Sequence, residues 1–139
     1  MRLWYWKLLP YLPRQQLISQ FRECCAIARN IHENGSPNHL LVNRIMEYPE
    51  SEFNTYTEEV IIQMQVRGYK VDPWKFFKWR NDKGRKSLDW IFLGWHSKEY
   101  LRQNMANLME KHYCGGITED EWDLLCHGYN VITGEVYEL

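Results

Sequence analysis

Leu17, Phe21, Cys24, Ala28 and Ile31 recur at spacings of three and four residues, a period that only a helix can place on one face. Pro13 stands where a helix tolerates proline best, at its first turn, and Asn34-Gly35-Ser36-Pro37 supplies the stop. A helix over these residues would carry Gln16, Ser19, Gln20 and Glu23 on a separate polar face, with Arg22 beside them. An element of this length needs partners for its apolar stripe, and the rest of the chain offers helical ones.

Residues 38–46 read as a short helix. A second long helix is predicted from Ser51 to Arg67, with Phe53, Tyr56, Val60 and Met64 as its stripe and Gly68 as its stop. A third runs from Ser97 to about Lys111 and buries Leu101, Met105 and Leu108, before Cys114-Gly115-Gly116 breaks it. Thr118-Glu119-Asp120-Glu121 is a capping box that opens a fourth, with Gly128 as its predicted end. The tail from Tyr129 to Leu139 holds Thr133-Gly134 among β-leaning residues and is expected to form a small hairpin or irregular turn. Residues 69–95 have no clear period. The expected fold is all-α: residues 1–139 as a single compact helical domain of about four helices with long aromatic loops.

No apolar run approaches the roughly 20 residues a bilayer needs, and Met1-Arg2-Leu3-Trp4-Tyr5-Trp6-Lys7 lacks the features of a signal peptide. A cytoplasmic protein without a membrane partner is expected. Four cysteines, two of them adjacent, then read as free thiols rather than a disulfide framework. The net charge of −1 is low for a nucleic-acid binder, but it conceals a segregation. Residues 1–30 carry five Lys/Arg against one acid and residues 61–90 carry eight against three, whereas the two other stretches are acidic. Two basic blocks permit one positive face, and a local field matters more than the total.

Gln15-Gln16-Leu17-Ile18-Ser19-Gln20-Phe21-Arg22-Glu23 resembles the Gln-His-Leu-x-x-Glu-Tyr-Arg-Glu signature of phage-type endonuclease V, the pyrimidine-dimer DNA glycosylase family, at the same distance from the initiator Met. Arg67-Gly68-Tyr69 is similar to that family's Arg-Gly-Phe. The resemblance implies a DNA glycosylase with AP-lyase activity that works through an N-terminal amine. The amine attacks C1′ of the damaged nucleotide, expels the base, forms an imine and permits β-elimination of the strand. An α-amine has a reference pKa of about 7.7–8.0, so it is a usable nucleophile near neutrality where a lysine is not. Glu23 inherits the carboxylate role beside it and Arg22 a phosphate fork.

The family has Thr after Met; here Arg2 should keep Met in place, which assigns the free amine to Met1. Gln16 replaces the family's His, Ala26 replaces an Arg, and the tail carries Glu135 and Glu138 where the family is lysine-rich. The predicted catalytic group is therefore Met1, Arg2, Arg22 and Glu23, with Arg14 and Gln15 on the DNA.

Trp74-Lys75-Phe76-Phe77-Lys78-Trp79-Arg80, continued by Lys83, Arg85 and Lys86, interleaves cations with rings. The pattern suits phosphate contact plus base stacking, and equally a loop whose rings pack inward while its lysines are solvated. On the first reading Lys75, Lys78, Arg80, Arg85 and Lys86 bind DNA. His112, Cys114, Cys126 and His127 have no zinc-motif spacing, so no metal is expected, and no cofactor either. Nothing marks Cys24 as a low-pKa nucleophile. The expected substrate is double-stranded DNA with a damaged nucleotide, bound by a monomer. A non-catalytic nucleic-acid-binding protein and a protein-interaction module built on the acidic helices are the alternatives.

Overall fold

The computed structural model describes residues 1–80 and 91–138. Its architecture is all-α, with no strand among the described residues. The helices are α1 (Arg14–Asn34), α2 (Glu50–Val66), the single turn α3 (Trp74–Phe77), α4 (Lys98–Tyr113) and α5 (Glu119–Thr133). Two 3₁₀ segments, Trp6–Tyr11 and Asn43–Glu47, complete the set among the described residues. No helix is long and apolar enough to cross a membrane among the described residues.

The predicted stripes are the buried ones, apart from Ile31, which is partly buried against the core. Leu17, Phe21, Cys24 and Ala28 of α1 face Phe53, Tyr56, Val60 and Met64 of α2, and Leu101, Met105 and Leu108 of α4 join the same cluster. Gly35 ends α1 in the left-handed region at φ 77°, where its amide bonds to Ile31 O, so the stop residue has the conformation that favours glycine. At the other end, Pro13 offers no side-chain cap, and the Arg14 amide is satisfied from α5 by Glu121 Oε2 at 2.9 Å. Glu121 also closes the predicted capping box with Thr118, so one carboxylate caps two helices.

The local structure departs from the sequence reading in three places. The aromatic stretch at 74–77 forms one helical turn, opened by Asp72 accepting the Trp74 amide; four residues are too few to display a period. The N-terminal segment Trp6–Tyr11, for which the sequence carries no helical period, forms a 3₁₀ turn with Pro10 inside it. Finally, α5 does not stop at Gly128 but runs to Thr133, and Thr133-Gly134 is its C-terminal cap rather than a hairpin. Gly128 serves packing, not termination. A Cβ built there would lie 2.4 Å from the Tyr11 ring, so the missing side chain lets α5 cross the 3₁₀ turn. Gly128→Ala should cost about 1–3 kcal/mol through that overlap.

Candidate active-site cleft

The N-terminal residues Leu3 to Trp6 are buried but lie in no sheet, so their backbone groups need other partners. Side chains from four parts of the fold provide them. Gln20 of α1 accepts the Trp4 amide at 2.8 Å, and the Tyr56 hydroxyl of α2 lies 2.7 Å from Trp4 O. Asn104 of α4 accepts the Tyr5 amide at 2.7 Å, and the Tyr100 hydroxyl donates to Leu3 O. His96 accepts the Trp6 amide through Nδ1 at 3.1 Å. Burial holds His96 neutral, with its pKa pushed down to about 3, and only the neutral ring can accept at Nδ1. The terminus is thereby held in one place, with Met1 exposed at the end of it.

Beyond it opens a cleft of about 470 Å³. Met1, Arg2 and Trp4 form one wall, Gln16, Ser19 and Glu23 of α1 the second, and Asn107, Glu110 and Lys111 of α4 the third, with Cys114 at the edge. Met1 and Glu23 therefore share a cavity. Glu23 is half-buried, and desolvation pushes its carboxyl pKa up; the charge of the terminal amine, the Arg2 backbone amide and the charges of Arg2 and Lys111 only partly offset it. Gln20 Nε2 donates to Glu23 Oε2 at 3.1 Å. The Arg2 guanidinium lies over the Trp4 ring, 5.2 Å from its centroid.

Arg22 lies elsewhere. It is exposed and lines a second groove of about 350 Å³ on the opposite flank of α1, with Phe21, Cys25, Lys70, Asp72 and Lys75. Lys75 and Lys78, both exposed, continue that flank as a wider groove with Arg29 and Trp79. Arg14 is exposed at the start of α1, its guanidinium over the Tyr69 ring at 4.4 Å, and Gln15 beside it is also exposed. Arg67 and Tyr69 of the Arg-Gly-Tyr triplet thus cluster near Arg14, with the Arg67 guanidinium 5.9 Å from the same ring.

Arg80 is turned inward. It is buried, pairs with Glu50 at 3.0 Å and Asn54 at 3.2 Å, and covers the Phe53 ring, so its guanidinium serves the fold rather than a ligand. Arg85 and Lys86 lie outside the described residues. The predicted cationic stretch is divided between faces, which a linear pattern cannot reveal. Among the thiols, burial pushes Cys25 up to about 11 and Cys24 higher still, the reverse of what a nucleophilic thiol needs.

Sequence reasoning missed the α4 wall of the cleft and the buried polar side chains that fix the terminus. One signal was present: Asn104 interrupts an otherwise apolar stripe of Leu101, Met105 and Leu108. A polar residue on a core face must be matched inside, and here the match is the Tyr5 backbone.

The family model for pyrimidine dimer DNA glycosylase matches residues 1–76. That is more than half of the chain, and the chain belongs to this family of DNA-repair glycosylases, whose substrate is DNA. No curated protein and no solved structure matches it. The matched residues include two walls of the cleft, and the α4 wall lies outside them.

Proposed function

We propose that the protein is a DNA glycosylase with AP-lyase activity, acting as a monomer in the cytoplasm on double-stranded DNA that carries a pyrimidine dimer or an abasic site. The observation that carries this reading is the placing of the Met1 terminus and the Glu23 carboxylate in one open cleft.

The α-amine supplies the electron pair that bonds to C1′. The glycosidic bond breaks, the base leaves with its electrons and takes up a proton, and ring opening gives an imine between Met1 and the sugar. The Glu23 carboxylate then accepts a proton from C2′, the C3′–O bond breaks, and the 3′ strand departs as a phosphate. Water hydrolyses the imine and restores the amine. Partial burial suits Glu23 to this task, because a carboxylate poised above its ordinary pKa is a better base. Arg22, Lys75 and Lys78 lie on the flank suited to holding phosphates, joined in sequence by Arg85 and Lys86. Trp79, with Lys78 and Arg29 against its ring, offers apolar surface between them.

Borohydride reduction in the presence of abasic-site DNA tests the reading. A covalent complex should form, and acetylating the N-terminus should abolish it, since an amide nitrogen has no available lone pair. Failure to trap any complex on abasic or dimer-containing DNA would leave a nucleic-acid-binding protein that keeps the fold. Trapping that survives acetylation would assign the nucleophile to a lysine.

A further inference from the structure

We propose that Gln20 is the positioning residue that sets the Met1 terminus against the Glu23 carboxylate, and that its amide is required for this role; the inference rests on the imine chemistry proposed above. Glutamine is ordinarily a solvated residue, yet Gln20 is fully buried beside the cleft. Its Oε1 accepts the Trp4 amide at 2.8 Å and faces the Tyr56 hydroxyl at 2.8 Å. Its Nε2 donates to Arg2 O at 2.9 Å and to Glu23 Oε2 at 3.1 Å. A side-chain amide has two donor hydrogens and one acceptor oxygen; both hydrogens have an acceptor here and the oxygen takes the Trp4 amide, with the single Tyr56 hydroxyl hydrogen shared between that oxygen and Trp4 O. The backbone groups fix its orientation, because the Trp4 N–H needs an oxygen and the Arg2 carbonyl needs an N–H.

The backbone pair it meets is informative. The carbonyl of residue 2 and the amide of residue 4 are the two groups that one residue of a parallel neighbouring strand would engage. Gln20 stands in for that neighbour, so a single helical side chain gives the terminal segment the register that a sheet would otherwise impose. The remaining donor of the same amide goes to Glu23, three residues further along the helix and on the same face. One planar group therefore couples the segment that carries the nucleophile to the carboxylate that serves it.

The resembled signature has a glutamate at this position. In Gln20→Glu an ionised carboxylate would offer only acceptors, facing the Arg2 carbonyl and the Glu23 carboxylate, while the protonated acid would recover one donor. Methionine would match the length and supply none. Misplacement of a reacting group by about 1 Å costs on the order of a hundredfold in rate.

The test compares wild type, Gln20→Glu and Gln20→Met on abasic-site duplex DNA. Borohydride trapping, strand cleavage and DNA affinity are measured from pH 5 to pH 8, with circular dichroism as the check on folding. Both variants should trap and cleave about tenfold to a hundredfold more slowly near neutrality, with DNA affinity retained. For Gln20→Glu the ratio to wild type should rise as pH falls, whereas for Gln20→Met it should stay flat. The Met1 amine, Arg2, Tyr56, Glu110 and Lys111, which surround this pair, are common to all three proteins, so the ratio isolates residue 20. Wild-type rates in folded Gln20→Met would overturn the proposal, as would a loss confined to DNA affinity. Should Gln20→Glu fail to fold, the methionine variant decides alone. A wild type that traps nothing would instead remove the imine reading itself.

Discussion

The two flanks of α1 handle charge in opposite ways, although neighbouring residues supply them. Glu23 faces the terminal segment, in a cleft where a half-buried carboxylate meets the Met1 end of the chain. Arg22, about 100° around the same helix, faces outward with Lys70 and Lys75 into a groove that continues to Lys78. One flank is desolvated and held by buried hydrogen bonds; the other is solvated and cationic. Under the proposed function, a step of one residue along the helix separates chemistry from backbone binding, and a mutation should disturb one without the other.

The largest expected effect belongs to the desolvated flank. Glu23→Gln should slow β-elimination by about 10²–10⁴-fold while borohydride trapping persists, because an amide cannot take the C2′ proton. The same substitution should stabilise the fold near neutrality. The folded pKa of Glu23 is raised, so its contribution is most favourable below about 4.5, the ordinary value, and is lost as pH rises through the folded pKa. Thermal melts of the two proteins should converge in acid and separate, with the variant higher, at neutral pH. Equal melting at every pH would show that the cleft does not desolvate Glu23.

Next is the anchor of that flank. His96 is depressed, so its contribution is present above about 6.5 and lost as pH falls toward about 3. A shift of this size corresponds to on the order of 5 kcal/mol across that window. His96→Gln keeps an acceptor for the Trp6 amide but does not titrate, and should move the acid-unfolding midpoint to lower pH. An unmoved midpoint would mean that other groups govern acid unfolding.

Arg80→Ala sharpens the contrast from the other side. Its guanidinium is buried while Glu50 is about one-third exposed, so the loss should be about 2–4 kcal/mol in denaturant titration. The salt dependence of DNA binding should not change. Replacing Lys75 and Lys78 by Gln should do the reverse: melting unaltered, and the slope of log K against log salt flatter by about 1.8, or 0.9 for each phosphate contact. A changed slope in Arg80→Ala, or an unchanged one in the double variant, would erase the distinction between the flanks.

Much of this was legible in the residues themselves. The stripes of α1, α2 and α4, the left-handed stop at Gly35 and the Thr118 capping box are local devices, set by periods and hydrogen bonds within a few residues. The register of Arg22-Glu23 from the initiator Met pointed to the family for the same reason, since spacing along a helix is spacing in the chain. What the tertiary structure alone decided was every match between distant groups. Gly128 looked like a helix end until Tyr11 was seen against it, and Arg80 like a phosphate ligand until Glu50 and Asn54 closed on it. The α4 wall of the cleft, and the buried Gln20, Tyr56, His96 and Asn104 that hold the terminus, are of this kind. A buried polar group is stable only where its partner is, and that partner lies up to 99 residues away, as for Tyr5 and Asn104, beyond the reach of any local pattern.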